Sequence, residues 1–531
     1  MCRTPTLDPN QTVLYYYDTN PYEPTFSNNA VGRLAAVSMN TSMRYEYSYS
    51  PSGRVQDQRL LVGGNFYDAS YAWDHEGRMS SLQWPSVSGS TGPLYQYQFD
   101  AMGRLSTMVD SSSGSTLATT TYGVANQLLG LTYFGMVGER SYNSRLQLTE
   151  QSVSGVMLGP VIDLHYNYST GTNYGQISSS TDSYLGETLN YTYDSLSHLS
   201  NTSASTGWSQ AYRYDGFGNL TYKQGAGAYP DYNASYDGSN HQVGLWFDAN
   251  GNQRSNGTYD VSNRLVTNTS GESYAYDYRG KRIVKWLADG SAEIYVYGID
   301  GKKLTTLNCY ANLITCFGPQ YNVYFKGKLV ISKGIPVVTD RTGSVRWNQG
   351  SGMPMYSSYY PYGEERTPTT ADDREKFGTY TRDNPGQDYA DQRYYGVGTG
   401  RFLSADPGGV NTADPSTSLG WNRYAYVQGD PVNFRDPQGL DLQGDGDCTW
   451  DEDTNTLTCD GGSDPCDEDP TMIGCGGGGD GGDDDDDSTD PCTNSSATFA
   501  RQQRALIRRQ WVVPAPAWSH RHQLFLYQSL Q

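Results

Sequence analysis

The stretch Tyr71-Ala72-Trp73-Asp74-His75-Glu76-Gly77-Arg78-Met79 carries the pattern that decides the fold of this chain. It contains two alternating aromatic residues, an Asp, a short turn with Gly, and an apolar residue after Arg. Alternating aromatic side chains suit a β-strand, because successive side chains point to opposite faces. The Asp can accept hydrogen bonds from the turn backbone, and Gly supplies the positive φ that reverses the chain. Each such unit therefore predicts a β-hairpin.

Copies of this unit recur from about residue 13 to residue 365, and they match the pattern more or less closely. Its turn glycines Gly53, Gly77 and Gly103 are 24 and 26 residues apart, a spacing typical of a stacked array. A lone hairpin is marginally stable in water, so neighbouring hairpins are expected to join edge to edge into one long sheet. A propeller blade needs about 40–45 residues, which favours a continuous strip instead. Further clear copies occupy residues 45–55, 95–105, 212–220, 259–265 and 274–281, and degenerate copies fill residues 106–190.

The 46 tyrosines of the chain are interpreted first as spacing and packing residues of this sheet. The alternative is an aromatic platform that binds sugars. Both interpretations start from the same alternation and differ in whether the rings face the protein or the solvent.

Charge is concentrated at one end of the chain. The formal net charge is −20, but residues 441–490 hold 18 acidic residues and no Lys or Arg. Because no basic groove is predicted, no nucleic-acid partner is expected. No apolar run reaches the ~20 residues that a membrane-spanning helix requires. Residues 441–490 are rich in Gly and Asp and offer too little apolar surface to offset the entropy of ordering, so disorder is expected there.

At these repeats the chain resembles the tyrosine-aspartate (YD) repeats of the RHS, or rearrangement hotspot, family. A second set of motifs resembles the RHS repeat-associated core domain of that family. These motifs are Val338–Arg346, Lys376-Phe377, Asp388–Tyr395, Gly400–Pro407, Asn422–Val427 and Asp436-Pro437-Gln438-Gly439-Leu440, in that order.

The resemblance implies an all-β fold: a long strip of tandem β-hairpins that spirals into a hollow shell, plugged by the core domain, with a disordered acidic C-terminal tail. It also implies that the segment after the core domain is variable and, in toxin-bearing members, is the cargo held inside. The expected divisions are residues 1–335 for the repeats, 336–440 for the core domain, 441–490 for the Asp/Gly-rich segment with its cysteines, and 491–531 for the variable tail.

The core domain is similar to an aspartic autoprotease that cuts just after its last motif, which here is the bond between Leu440 and Asp441. Peptide hydrolysis by carboxylates needs two of them close enough to share a proton. Asp406 and Asp436 are the candidates, and both precede Pro. The alternative is that both side chains only cap turns, as Asp before Pro often does. No external substrate is predicted.

Two neighbours are candidates for supporting roles. Arg435 could hold a carboxylate ionised or lie on a strand face, and Asp430 is an extra carboxylate that could substitute or interfere. The first motif reads Asp406-Pro407-Gly408-Gly409-Val410, whereas many members of the family have an aliphatic third residue.

The acidic segment holds two further candidate sites. Asp441, Gln443, Asp445, Gly446 and Glu452 match positions 1, 3, 5, 6 and 12 of a twelve-residue calcium loop, although the flanks do not predict helices. A solvated acidic linker is the alternative, and no other cofactor is expected. Cys448 and Cys459 bracket an alternating stretch that predicts a hairpin closed by a disulfide, which favours an oxidising compartment.

The first residues lack the apolar core of a secretory signal, and Tyr15-Tyr16-Tyr17-Asp18 resembles the middle of a repeat, so a truncated N-terminus is expected. Two functions fit these observations. One is an extracellular or cell-surface shell that encloses and delivers its own C-terminal segment, with cleavage after Leu440. The other is a surface structural or adhesion protein whose tyrosine-rich sheet binds glycans or cells.

Overall fold

The computed structural model describes residues 12–440, apart from 41, 88–89, 170, 172, 351–354, 367–373 and 409–418, together with the backbone of 443–444, 449–451 and 456–458. The described residues form β-strands joined by tight turns and contain no α-helix. Single 3-10 turns lie at Arg254–Asn256, Phe377–Thr379, Leu419–Trp421 and Val427–Gly429. Within this part of the chain, no helix is long and apolar enough to cross a membrane.

The main sheet has 19 strands, and each strand pairs antiparallel with the next one along the chain. Its strands are β1 (Leu14–Tyr17), β2 (Leu34–Asn40), β3 (Met43–Tyr49), β4 (Val55–Val62), β5 (Asn65–Trp73), β6 (Met79–Gln83), β7 (Leu94–Phe99), β8 (Leu105–Asp110), β9 (Thr116–Tyr122), β10 (Leu128–Tyr133), β11 (Met136–Tyr142), β12 (Leu148–Gly155), β13 (Gly159–Tyr168), β14 (Ile177–Asp182), β15 (Glu187–Tyr193), β16 (Leu199–Ala204), β17 (Ser209–Tyr214), β18 (Leu220–Lys223) and β19 (Tyr232–Asn233).

Smaller antiparallel sheets follow in chain order. The first has β20 (Gly257–Tyr259), β21 (Leu265–Asn268), β22 (Ser273–Tyr276), β23 (Arg282–Trp286), β24 (Ser291–Tyr297), β25 (Lys303–Tyr310) and β26 (Cys316–Tyr321). The second has β27 (Val323–Phe325), β28 (Lys328–Ser332), β29 (Ile335–Thr339), β30 (Val345–Asn348) and β31 (Met355–Tyr356). The third has β32 (Thr381–Asn384), β33 (Gln387–Ala390), β34 (Arg393–Gly396) and β35 (Arg401–Phe402). Two pairs complete the chain: β36 (Phe434–Arg435) with β37 (Gln443–Gly444), and β38 (Thr449–Asp451) with β39 (Thr456–Thr458).

In many hairpins the tyrosine before the turn connects that hairpin to the previous one. At Tyr142 the register shifts by a β-bulge, which leaves Leu148 opposite it. A bulge removes a regular ladder hydrogen bond. The carbonyl of Leu148 instead accepts the hydroxyl of Tyr168, at 3.0 Å, from the next hairpin. The same contact recurs from Tyr49 to Leu34, Tyr122 to Leu105, Tyr193 to Ile177, Tyr214 to Leu199, Tyr236 to Leu220 and Tyr276 to Leu265.

The turn itself is closed by the Asp, as the sequence predicted. One oxygen of Asp74 accepts the backbone N–H groups of Glu76 and Arg78, both at 2.9 Å, while the other accepts Nε of Arg78 at 2.7 Å. The guanidinium then lies over the ring of Phe99 in the next hairpin, with Cζ 4.4 Å from the ring centroid. One arginine therefore joins its own turn to its neighbour.

The main sheet curls around the later strands. The side-chain amide of Gln58 donates to the carbonyl of Tyr297 at 2.8 Å, and that of Gln151 donates to the carbonyl of Thr339 at 2.7 Å. Tyr133 donates to the carbonyl of Val337 at 3.0 Å. Buried apolar side chains from β2 through to Val432 form one continuous core. The inner face of the strip is therefore covered by strands that come some 200 residues later in the chain.

The predicted all-β strip of tandem hairpins, closed by the segment that follows it, is confirmed. The expected division at residues 335 and 336 falls inside β29, which pairs with β28 on one side and β30 on the other. The domain boundaries stay a prediction. Most of the segment after Leu440, including the residues expected to be disordered, lies outside the described residues.

A disulfide links Cys309 and Cys316, two positions to which sequence reasoning gave no pairing. They face one another across the β25–β26 hairpin. The signal in the sequence was two cysteines only seven residues apart.

The turn glycines permit a test of the contact between hairpins. Gly77 has φ +87°, and a Cβ there would overlap Nη2 of Arg54 from the previous turn. Gly64 has the same φ of +87° with open space around it. We expect Gly64→Ala to cost about 1–2 kcal/mol from backbone strain alone. Gly77→Ala should cost about 0.5–1 kcal/mol more, because Arg54 must leave the ring of Trp73.

Urea-induced unfolding of the full chain, followed by tryptophan fluorescence and circular dichroism, measures both variants. Equal losses of stability in the two variants would show that the arginine contributes nothing to the joint between hairpins.

Candidate functional site

The two candidate carboxylates are brought into one buried site by the short strands near residue 440. Asp406 follows β35 and Asp436 follows β36, and their exposed fractions are 6% and 4%. Arg393, the first residue of β34, lies between them and is 4% exposed. Its Nη2 is 3.0 Å from Oδ2 of Asp406 and 3.4 Å from Oδ2 of Asp436. One guanidinium therefore contacts both carboxylates.

Arg393 also reaches the chain next to the predicted cleavage position. Its Nε donates to the carbonyl of Gly439, and its Nη1 donates to the carbonyl of Arg423 at 3.0 Å. The guanidinium stacks on the ring of Phe402, with Cζ 3.8 Å from the ring centroid. These contacts fix its position, since the planar guanidinium is held on its face and along its edges.

The second oxygen of each carboxylate has the role of a turn cap. Oδ1 of Asp436 accepts the backbone N–H of Leu440 at 2.9 Å, and Oδ1 of Asp406 accepts that of Gly408 at 2.8 Å. The contact of Asp436 repeats the one that Asp74 makes to Arg78 in a hairpin turn. The turn-capping interpretation of both residues therefore has direct contacts in the structure.

The charge balance of the site follows from this geometry. A buried carboxylate is costly unless it is paired, and bidentate or bridging contacts to Arg are the usual compensation. Arg393 contacts Asp406 and Asp436 together and so supplies one cation to both. A protease of the aspartic type needs one shared proton, with one carboxylate activating water and the other protonating the leaving nitrogen.

The two supporting candidates lie in different surroundings. Asp430 accepts the backbone and side-chain N–H groups of Asn433, with both carboxylate oxygens engaged. Burial raises the pKa of Asp430, and the contacts with Asn433 offset this in part. Arg435 lies on β36, which pairs with β37, so that the chain doubles back around the Asp436 turn. The arginine that contacts both candidate carboxylates is Arg393, to which sequence reasoning gave no role.

A buried hydroxyl completes the site. Tyr380 donates to the backbone carbonyl of Asp436. Burial raises the pKa of Tyr380 well above its ordinary value, and the nearby Tyr426 and Asp436 add to this effect. Tyr380 therefore remains a hydrogen-bond donor at neutral pH, and it anchors the residue that begins the predicted cleavage turn.

Several predicted residues lie outside the described part of the chain. Leu440 is described, but Asp441 on the other side of the predicted bond is not. The proposed calcium ligands Asp445 and Glu452 are outside it as well. So are Cys448 and Cys459, although the backbone between them forms the antiparallel pair β38 and β39.

Comparisons with known proteins point to toxins. The chain is 28% identical over 277 residues to the tRNA3(Ser)-specific nuclease WapA of Bacillus spizizenii, a match that covers 46% of this chain and 12% of that protein. It is 26% identical over 252 residues to the double-stranded DNA deaminase toxin A of Burkholderia cenocepacia, covering 43% of this chain and 17% of that protein. No family model matches the chain.

The fold also matches that of a solved structure. The structure of TcdB2-TccC3 without its hypervariable C-terminal region aligns with a TM-score of 0.61 at 18% identity, over 81% of this chain and 25% of that one. The curled strip of hairpins and the segment that closes it therefore share the fold of that structure. This chain corresponds to a small part of each of these longer proteins.

Arg393 gives a prediction for stability. Arg393→Gln leaves the buried carboxylates of Asp406 and Asp436 without their cation, and we expect a loss of about 3–5 kcal/mol in the free energy of unfolding. Chemical denaturation at pH 7 measures it. Arg213→Gln, on an exposed arginine stacked on Tyr222, is the matched control and should cost below about 1 kcal/mol.

Adding Asp406→Asn and Asp436→Asn to Arg393→Gln should restore part of the stability, because the two side chains that Arg393 contacts are then uncharged. If the triple variant is no more stable than Arg393→Gln, packing rather than charge explains the loss.

Proposed function

We propose that this chain is part of an RHS-repeat shell protein that encloses and delivers the variable segment that follows its core domain. In this proposal the chain belongs to an exported toxin, the segment after Leu440 is the cargo, and residues from about 336 to 440 form the RHS repeat-associated core domain. The core domain releases the cargo by cleaving the bond between Leu440 and Asp441.

The comparisons support the enclosing role. A fold shared with a toxin complex that carries a hypervariable C-terminal region suits a chain whose composition changes abruptly after residue 440. The relatives named above act on tRNA or DNA, and those activities are theirs. The tail of this chain does not predict either chemistry.

The single observation that carries the cleavage proposal is the meeting of Asp406, Asp436 and Arg393 at the Gly439 carbonyl and the Leu440 amide. Arg393 holds the carbonyl of Gly439 and Asp436 holds the backbone N–H of Leu440, the residue whose carbonyl forms the predicted scissile bond. Holding the peptide in a fixed geometry beside the reacting carboxylates lowers the entropic cost of the reaction. In the proposed reaction, Asp406 and Asp436 divide the roles of base and acid, and Arg393 positions both.

The alternative of a glycan-binding tyrosine sheet receives less support. Tyr45, Tyr47 and Tyr295 are almost completely buried, and the tyrosines before the turns donate their hydroxyls to backbone carbonyls. These rings are used for packing and for joining hairpins. Few of them remain to form an aromatic platform.

Mass spectrometry of the purified full-length chain tests the cleavage. The parent chain should yield a fragment whose new N-terminus is Asp441, and Asp436→Asn or Asp406→Asn should reduce its formation by at least about 100-fold, because Asn cannot exchange the proton. Asn still closes this kind of turn: Asn143 accepts the backbone N–H groups of Arg145 and Gln147 at 2.9 and 3.1 Å.

Asp260→Asn is the matched control, since Asp260 caps an ordinary hairpin turn through Ser262 and Arg264. It should leave cleavage unchanged. An uncut parent chain, or equal cleavage in the parent and the Asp436→Asn variant, would reject autoproteolysis at this site while leaving the enclosing role to be judged separately.

A further inference from the structure

A cluster of metal-binding side chains lies on β12 and β13, away from the site near Leu440. Glu150 and His165 face one another directly across these strands, and Asp163 is two residues before His165. Directly opposed side chains on antiparallel strands have Cβ atoms about 4.5–5.5 Å apart, and alternate residues of one strand share a face. The register therefore places all three side chains on one face of the sheet.

That face is the outer one. The alternate residues Gln151 and Leu164 are buried, and Gln151 donates to Thr339 on the inner side of the curled sheet. His165 and Asp163 keep 40% and 35% of their side-chain surface exposed. The cluster is thus rigidly placed by the sheet but open to solvent.

The ligand atoms of the three residues converge. One carboxylate oxygen each from Glu150 and Asp163 and one ring nitrogen of His165 all lie within 4.8 Å of one another. Nε2 of His165 is 2.9 Å from Oδ1 of Asp163. Yet this oxygen has no hydrogen-bond partner in the described part of the chain, although it is shielded from solvent. Nε2 of His165 and Oδ1 of Asp163 are therefore close but not aligned for a hydrogen bond. Two ligands of one metal ion have this arrangement.

The charge around the cluster favours a cation. The register adds Glu139 and Ser152 on the same outer face, and these two face each other across β11 and β12. The outward positions next to the cluster on the flanking strands are Ser141 and Thr181. The cluster therefore combines two carboxylates with one imidazole, a third carboxylate, Glu139, lies on the same face, and the nearest outward neighbours on either side are hydroxyls.

We propose that Glu150, Asp163 and His165 form a zinc site on the outer face of the shell. One imidazole nitrogen and two carboxylate oxygens are ligands that Zn²⁺ accepts, and three protein ligands leave a fourth position for water. Imidazole favours zinc over calcium or magnesium, which prefer all-oxygen sites. The site is independent of the proposed cleavage, because none of its residues contacts the turn at Leu440.

Protection of His165 from chemical modification tests the site. Diethyl pyrocarbonate acylates imidazole nitrogens, and peptide mass spectrometry reads each histidine of the full chain separately. With 100 µM ZnCl2 after removal of metals by EDTA, we expect modification of His165 to slow about tenfold if the dissociation constant is about 10 µM. The exposed His75, on a hairpin turn, is the internal control and should react at the same rate with and without zinc.

Asp163→Asn and Glu150→Gln should each abolish most of the protection at His165, whereas Glu76→Gln, on an exposed turn, should not change it. All three positions are outward, so circular dichroism should remain that of the parent chain. The proposal is overturned if His165 reacts equally fast with and without zinc, or if protection survives Asp163→Asn. Because each histidine is read separately, zinc bound by the cysteines of the tail does not affect the result.

Discussion

The structure depends on how one hairpin is attached to the next. In a plain antiparallel sheet the ladder alone makes this connection, but here many turns, among them those after Tyr142, Tyr193 and Tyr214, are preceded by a bulge that breaks the ladder. The lost bond must be replaced, because an unpaired buried carbonyl costs free energy. The tyrosine hydroxyl of the following hairpin replaces it. Tyr193 closes the bulge of Tyr168 through Ile177, and Tyr214 closes that of Tyr193 through Leu199.

This connection explains why the strip curls. Bulges increase the local twist of a strand, and here they recur at the same place in successive hairpins. The turns are joined at the same edge by arginine, which pairs with its own Asp and stacks on the next ring, as Arg104 does with Asp100 and Tyr122. Repeated bending at one edge rolls the sheet, and the rolled sheet closes on later strands through contacts such as Gln58 with Tyr297.

Sequence reasoning predicted the hairpins, their antiparallel neighbours and the Asp-closed turns, because each of these is encoded within about ten residues. It did not predict the tyrosine-to-carbonyl contact, which joins residues 11–20 positions apart and depends on a bulge that no residue type indicates. It also missed Arg393. Arg393 pairs with two carboxylates that are 13 and 43 positions away in the sequence. This pairing can be recognised only from the three-dimensional arrangement of β34, β35 and β36. The pairing of Cys309 with Cys316 required the same knowledge of register.

The candidate cleavage site is a hairpin turn with one side chain changed. In the repeats, the second oxygen of the Asp binds the side chain four residues on, as in Asp74 with Arg78, Asp215 with Asn219 and Asp194 with His198. In the Asp436 turn that residue is Leu440, whose side chain has no hydrogen-bond donor. The second oxygen of Asp436 instead contacts Arg393 of β34, which also contacts Asp406. In the repeats the Asp finds both partners within its own turn. In the Asp436 turn one partner comes from β34, so this turn connects strands that are distant in the sequence.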